Sequence, residues 1–244
     1  MPEMSKIPKE KIQSVLKEIE EIYHSNGKDA ENYLKKARKL KEYFSPGFAV
    51  VYSWFYSIPQ KWVQVEPKIF KLAKYTRLFD LNVILSMPAE KISKILEPLM
   101  FRNEISIQLK NLCEVIYKEY NTWENFGHIL QNQSIFVIFK KLRLHKGIRV
   151  TFKNLAAMKI FVGMDNNLLI LDTHVASVLR LNKDEVNRCR VREDFFREVL
   201  KKSEKITTYL KSKNFKDVCM AKWSLAVWFN KAKIKECDLL KGIS

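Results

Sequence analysis

Apolar residues recur along most of the chain at the three-to-four-residue spacing of helices that hide one face. Ile12, Val15, Leu16, Ile19 and Ile22 form one such stripe, with Lys and Glu opposite, and residues 29–43 continue in the same character. Residues 47–75 are richer in aromatics, among them Phe48, Tyr52, Trp54, Phe55, Tyr56 and Trp62. Pro59 is placed to begin a new helix there. Ser86 reads as an N-cap with Glu90 in the first turn, and Ile92, Ile95, Leu96 and Leu99 follow. Ile105, Leu109, Leu112 and Ile116 make another stripe, and 131–142, 151–162, 172–182, 192–211 and 215–231 read as further helices. Only the short apolar run 168–171 resembles a strand. The pattern predicts an all-α chain of about ten to twelve short helices.

Composition narrows the possibilities. At 244 residues the chain can bury a core as one domain or two lobes, and 47% hydrophobic content argues against disorder. With six glycines and seven prolines it is poor in turn formers, and it contains neither GxGxxG nor GxxxxGK[ST], so nucleotide-binding loops are not expected. The net charge of +17 points to a polyanionic partner, nucleic acid first and anionic membrane second, against the plainer reading of a lysine-rich surface. No apolar run reaches the roughly 18 residues of a membrane span. The start, MPEMSKIPKEK, lacks an apolar signal core, so an intracellular location is expected. Cys113, Cys189, Cys219 and Cys237 are far apart and form no CxxC pair. Disulfides, a zinc or iron–sulfur site, and any cofactor are therefore not expected.

The most informative stretch is 142–182, LRLHKGIRVTFKNLAAMKIFVGMDNNLLILDTHVASVLRLN. One helix ends at Leu142. His145-Lys146-Gly147 makes a turn, with Gly147 free to take positive φ. A second helix runs from about Thr151 to Val162. Ala156 and Ala157 let that helix pack closely, and Gly163 is expected to cap its end. Arg143, Lys146, Arg149 and Lys153 surround the turn, whose backbone amides can hold a phosphate, although most helical hairpins are packing units only. An apolar extended run, Leu168–Leu171, then delivers Asp172 to a helix start, where it reads first as an N-cap.

These residues resemble the helix-hairpin-helix DNA glycosylase superfamily, in which a hairpin precedes an aspartate in a [VIL]-D-x-H-[VI] context. ILDTHV at 170–175 matches that context, and Lys153 stands at the hairpin's end. The pattern FK…VG…ILDTH is similar to the archaeal-type 8-oxoguanine glycosylases. NVILSMPAEKISKILEPLMFRNEISIQLKNLCEVIYKEY resembles the superfamily's middle region, and KWSLAVW at 222–228 its final helix. Two departures stand out. The hairpin reads GIRVTFK where the family has LPGIG or a close variant, and Ser224 stands where 8-oxoguanine enzymes often have an acid.

The resemblance implies a two-lobed all-α fold with the active site in the cleft between lobes. Residues 1–78, completed by 175–244, would form one lobe. Residues 79–174, with the hairpin at about 142–153, would form the other. It implies a base-excision glycosylase with AP lyase activity, acting as a monomer on double-stranded DNA that contains a damaged base. Lys153 would attack C1′ of a flipped nucleotide, its amine made partly neutral by burial or by positive neighbours such as Lys146 and Arg149. Lys140, Lys141 and Lys146 fit that position less well. Asp172 would stabilise the positive charge developing on the sugar. The DNA contacts would come from Lys146, Gly147, Arg149, Thr151, His174, Arg102 and Asn103. Trp54, Gln60, Trp62, Trp223 and Trp228 are candidates for the base pocket, though aromatics at helical spacing are more often core. A monofunctional glycosylase for uracil, mismatched thymine or alkylated bases remains an alternative. So does a non-catalytic DNA-binding protein of the same fold.

Overall fold

The computed structural model describes residues 9–56, 58 and 60–233, with the side chains of 9–11 left aside. Every regular element among them is helical. In chain order they are α1 (Lys9–Arg38), α2 (Leu40–Tyr43), α3 (Pro46–Phe55), α4 (Trp62–Tyr75), α5 (Leu81–Ser86), α6 (Ala89–Ile95) and α7 (Arg102–Tyr120). Then follow α8 (Trp123–Asn132), α9 (Ile135–Arg143), α10 (Phe152–Phe161), α11 (Thr173–Val178), α12 (Lys183–Val191), α13 (Glu193–Ser212) and α14 (Met220–Ala232). None is long and apolar enough to cross a membrane. Residues 168–171, the run that resembled a strand, form no strand among the described residues. Pro59 and Cys237 lie outside the described residues.

Local capping accounts for the places where observed helices differ from the expected ones. Ser86 is not an N-cap. Asp80 starts a helix upstream by accepting from Asn82 N (2.9 Å) and Val83 N (3.1 Å), so Ser86 falls in that helix's last turn and its Oγ donates to Val83 O. Pro88 occupies the cap of α6 without a side-chain bond. The run 131–142 is broken because Ser134 caps α9 through Phe136 N. The run 172–182 stops early, and Asn182 and Glu185 form a capping box that opens α12.

The chain divides into two compact units. Among the described residues, one joins those up to Lys35 with those from Asp165 to Lys233, and the other contains Lys36–Met164. These bounds are drawn differently from the lobes expected at 1–78 with 175–244 and at 79–174. In the first unit the core includes Ile19, Tyr33, Phe196, Leu210, Trp223 and Phe229, with Tyr33 edge-on to Phe229 at 5.5 Å.

The second unit is organised by α3 and α10. Residues Gly47–Phe55 are all buried, so α3 is apolar all round and is enclosed by α2, α4, α8 and α10. Gly47 permits a close approach, because a Cβ there would meet Trp123 Nε1 at 2.6 Å. Helix α10 is nearly as enclosed, with Lys153 its only residue that is not buried. Several cations in this unit close helix C-termini. Lys159 Nζ donates to Leu130 O and Gln133 O, both at 2.7 Å, at the end of α8. Lys110 Nζ donates to Leu85 O and Met87 O after α5, and Arg38 Nε to Ile160 O at the end of α10.

Gly163 does not take the left-handed conformation expected of a helix cap; Met164 does, at φ 57°. Gly163 serves a steric need instead. A Cβ there would lie 2.5 Å from Leu130 O.

Candidate active site

The hairpin consists of α9, the turn 144–150 and α10. Gly147 adopts φ +89°, as its position in the turn predicts. One face of α7 holds the turn in place. Asn111 Nδ2 donates to Gly147 O (2.7 Å), Gln108 Oε1 accepts from Arg149 N (2.7 Å), and Glu104 pairs with the Arg149 guanidinium. Glu104, Gln108 and Asn111 share that face by their i, i+4, i+7 spacing. Farther along α7, Glu119 faces both Lys141 Nζ (3.4 Å) and His145 Nε2 (3.5 Å). The amides of Lys146, Gly147 and Ile148 have no acceptor among the described residues. The turn is thus fixed from one side and offers consecutive N–H groups on an exposed tip.

Thr151 caps α10. Its Oγ1 accepts from Asn154 N (3.3 Å) while Asn154 Oδ1 accepts from Thr151 N (3.1 Å), a reciprocal capping box. Asn154 is 2% exposed, and its Nδ2 also donates to Trp54 O (3.2 Å), which ties the helix start to α3. Phe152 is buried and stacks on Phe139 with centroids 3.9 Å apart. Lys153 lies between these anchors at the second helical position, half-buried. Its backbone is locked on both sides, beside the positive end of the helix.

Asp172 belongs to the other unit. Leu168–Leu171 are all buried, and Asp172 follows them at the N-cap of α11, 8% exposed. Its Oδ1 accepts from Val175 N at 2.8 Å, while Oδ2 accepts no hydrogen bond among the described residues. His174 is half-buried in the first turn of the same helix. The cap leaves one carboxylate oxygen available for another task.

The remaining candidates are dispersed. Arg102 pairs with Glu97 (3.1 Å) and Asn103 accepts from Ser93 Oγ, so both are engaged within the molecule at the start of α7. Gln60 donates to Gln64 Oε1 and accepts from Met100 N, bracing the segment before α7. Trp54 is buried against Phe55, and Trp62 is buried against Tyr52 and Tyr56 with no partner for its Nε1 among the described residues. In the first unit Trp223 is fully buried with its Nε1 on Thr207 Oγ1, and Trp228 packs on Tyr33 and Phe229. Ser224 is buried, and its hydroxyl donates to Ala221 O of its own helix.

The sequence reading missed the α7 stripe that fixes the turn and the role of Asn154. The Thr151-x-x-Asn154 spacing was the available signal for the second.

No protein-family model matches the chain, and no curated protein does. Among solved structures, the crystal structure of Methanocaldococcus jannaschii 8-oxoguanine DNA glycosylase is similar, with a TM-score of 0.58. The match covers 91% of this chain and 96% of that one at 15% sequence identity. The chain shares the all-α fold of that structure. At this identity the likeness is one of fold.

Proposed function

We propose that the chain is a DNA glycosylase with lyase activity that removes 8-oxoguanine from duplex DNA. The observation that carries this reading is the hairpin itself: open amides on a braced turn, leading directly into a helix start rigid on both sides of Lys153. The glycosylase fold supplies the context. Those amides would take a backbone phosphate, assisted by the exposed Lys146. The target nucleotide leaves the stack, because its glycosidic bond is out of reach inside a duplex.

Lys153 Nζ, as the neutral amine, then bonds to C1′ while the bond from C1′ to the base nitrogen breaks and the base departs with the electron pair. Opening of the sugar ring gives an imine between Lys153 and C1′. Loss of a C2′ proton from that imine expels the 3′ phosphate and nicks the strand. Asp172, with Oδ2 open, is assigned the stabilisation of positive charge on the sugar.

Single-turnover assays on duplexes carrying one 8-oxoguanine, uracil, mismatched thymine or alkylated purine test the proposal. Release of 8-oxoguanine with strand cleavage is expected. Release of another base without cleavage would favour the monofunctional alternative, and release from none would refute the reading.

A further inference from the structure

We propose that the solvent face of α4, together with the left-handed turn that ends it, is a second phosphodiester-binding surface for duplex DNA. The inference deepens the reading above and rests on it. In the segment 61–79 the only acid is Glu66, which is 5% exposed and accepts from Tyr52 Oη at 2.5 Å. The inward face consists of Trp62, Val65, Glu66, Ile69, Leu72 and Ala73. Lys61, Lys68, Lys71 and Lys74 lie off that face, and Arg77 continues beyond the helix. None of these five cations makes an ion pair among the described residues. Some cations elsewhere stand opposite carboxylates, as with Arg149 and Glu104, or Arg180 and Lys231 on Glu18. Like charges three and four positions apart oppose helix formation, so folding alone does not account for this arrangement.

The backbone gives a second, independent observation. Arg77, Leu78 and Phe79 are consecutive non-glycine residues with φ of 47°, 58° and 67°. Such residues visit this region singly, and a run of them persists only where the surroundings enforce it. Here Thr76 Oγ1 accepts from Phe79 N, Leu78 N donates to Ala73 O, Ser45 Oγ donates to Leu78 O, and Trp123 Nε1 donates to Phe79 O. Phe79 is buried as the anchor, which leaves Arg77 and Leu78 exposed at the end of the cationic face.

Duplex DNA fits this surface better than an anionic membrane does. The apolar face of α4 is turned into the core, and the exposed apolar residues Val63, Tyr75 and Leu78 form no continuous stripe for insertion. From Lys61 to Lys74 the helix extends about 20 Å at ~1.5 Å per residue. That reach matches about six phosphates of one strand at ~3.4 Å of axis each.

The test measures affinity for an undamaged duplex at several salt concentrations, using a triple variant, Lys68→Gln, Lys71→Gln and Lys74→Gln. A control variant, Lys201→Gln, Lys205→Gln and Lys211→Gln, removes the same charge from α13. The plot of log K against log salt should flatten by about 0.9 per lost contact, so by ~2–3 for the α4 variant and by none for the control. Lys71→Gln alone should shift it by about 0.9. Equal slopes for the parent and the α4 variant would overturn the inference, as would equal changes in both triple variants. A parent that excises damaged bases yet shows no α4 dependence loses only this surface. A parent with α4-dependent binding and no excision loses only the enzymatic reading.

Discussion

Asp172 allows its two tasks to be separated by substitution. Asparagine caps a helix about as well as aspartate, so Asp172→Asn should keep the bond from Val175 N and change stability by only a few tenths of a kcal/mol. It removes the charge, and single-turnover excision should fall by roughly 10²–10³-fold. Asp172→Ala should lower excision as well and cost about 1 kcal/mol in thermal unfolding. An Asp172→Asn protein with the parental rate would reduce the residue to a cap. The cysteines give a second expectation. Burial first, then nearby carboxylates, push the Cys189 thiol up to about 11, and burial pushes the Cys113 thiol up too. Thiolate is the reactive form and both sulfurs are enclosed, so native alkylation at mildly alkaline pH should modify Cys219 well before either, as peptide mass mapping would show. Asp172 was legible as a cap because capping is local. The surroundings of Lys153 were not, because the decisive bond joins Asn154 to Trp54, a hundred positions apart in the chain.

At the scale of elements, two glycines should respond oppositely to alanine. Gly163→Ala places a Cβ 2.5 Å from Leu130 O, a backbone atom also held by Lys159, and should destabilise the protein by about 1–3 kcal/mol. Gly127 lies inside α8, where the added Cβ meets only Val162 Cγ1 at 3.8 Å. Gly127→Ala should stabilise by about 0.5–1 kcal/mol, since glycine weakens a helix interior by that amount. Opposite shifts in thermal midpoint would bear this out; equal shifts would contradict it. Helix type was readable nearly everywhere because the apolar spacing is strong. Helix boundaries were not where a cap interrupts a continuing period, as Ser134 does before α9 and Asn182 does before α12. The reverse error arose at Ser86, a competent cap displaced by Asp80 six residues earlier.

For the whole molecule, the all-α character was legible from the apolar period, whereas the bounds of the two units were not. Residues up to Lys35 join the segment that begins at Asp165, a pairing of early and late chain that the resemblance implied with other bounds, 1–78 with 175–244. The +17 charge also divides in a way that composition hides. Lys110, Lys159 and Arg38 serve helix ends, while the α4 cations have no protein partner among the described residues. The central claim is that Lys153 is the nucleophile. Its most direct test is borohydride reduction of the protein with a damaged-base duplex, followed by peptide mass spectrometry. The account predicts a covalent DNA adduct carried by Lys153 and absent from Lys153→Gln. An adduct on a different lysine, or one that persists in Lys153→Gln, would contradict it.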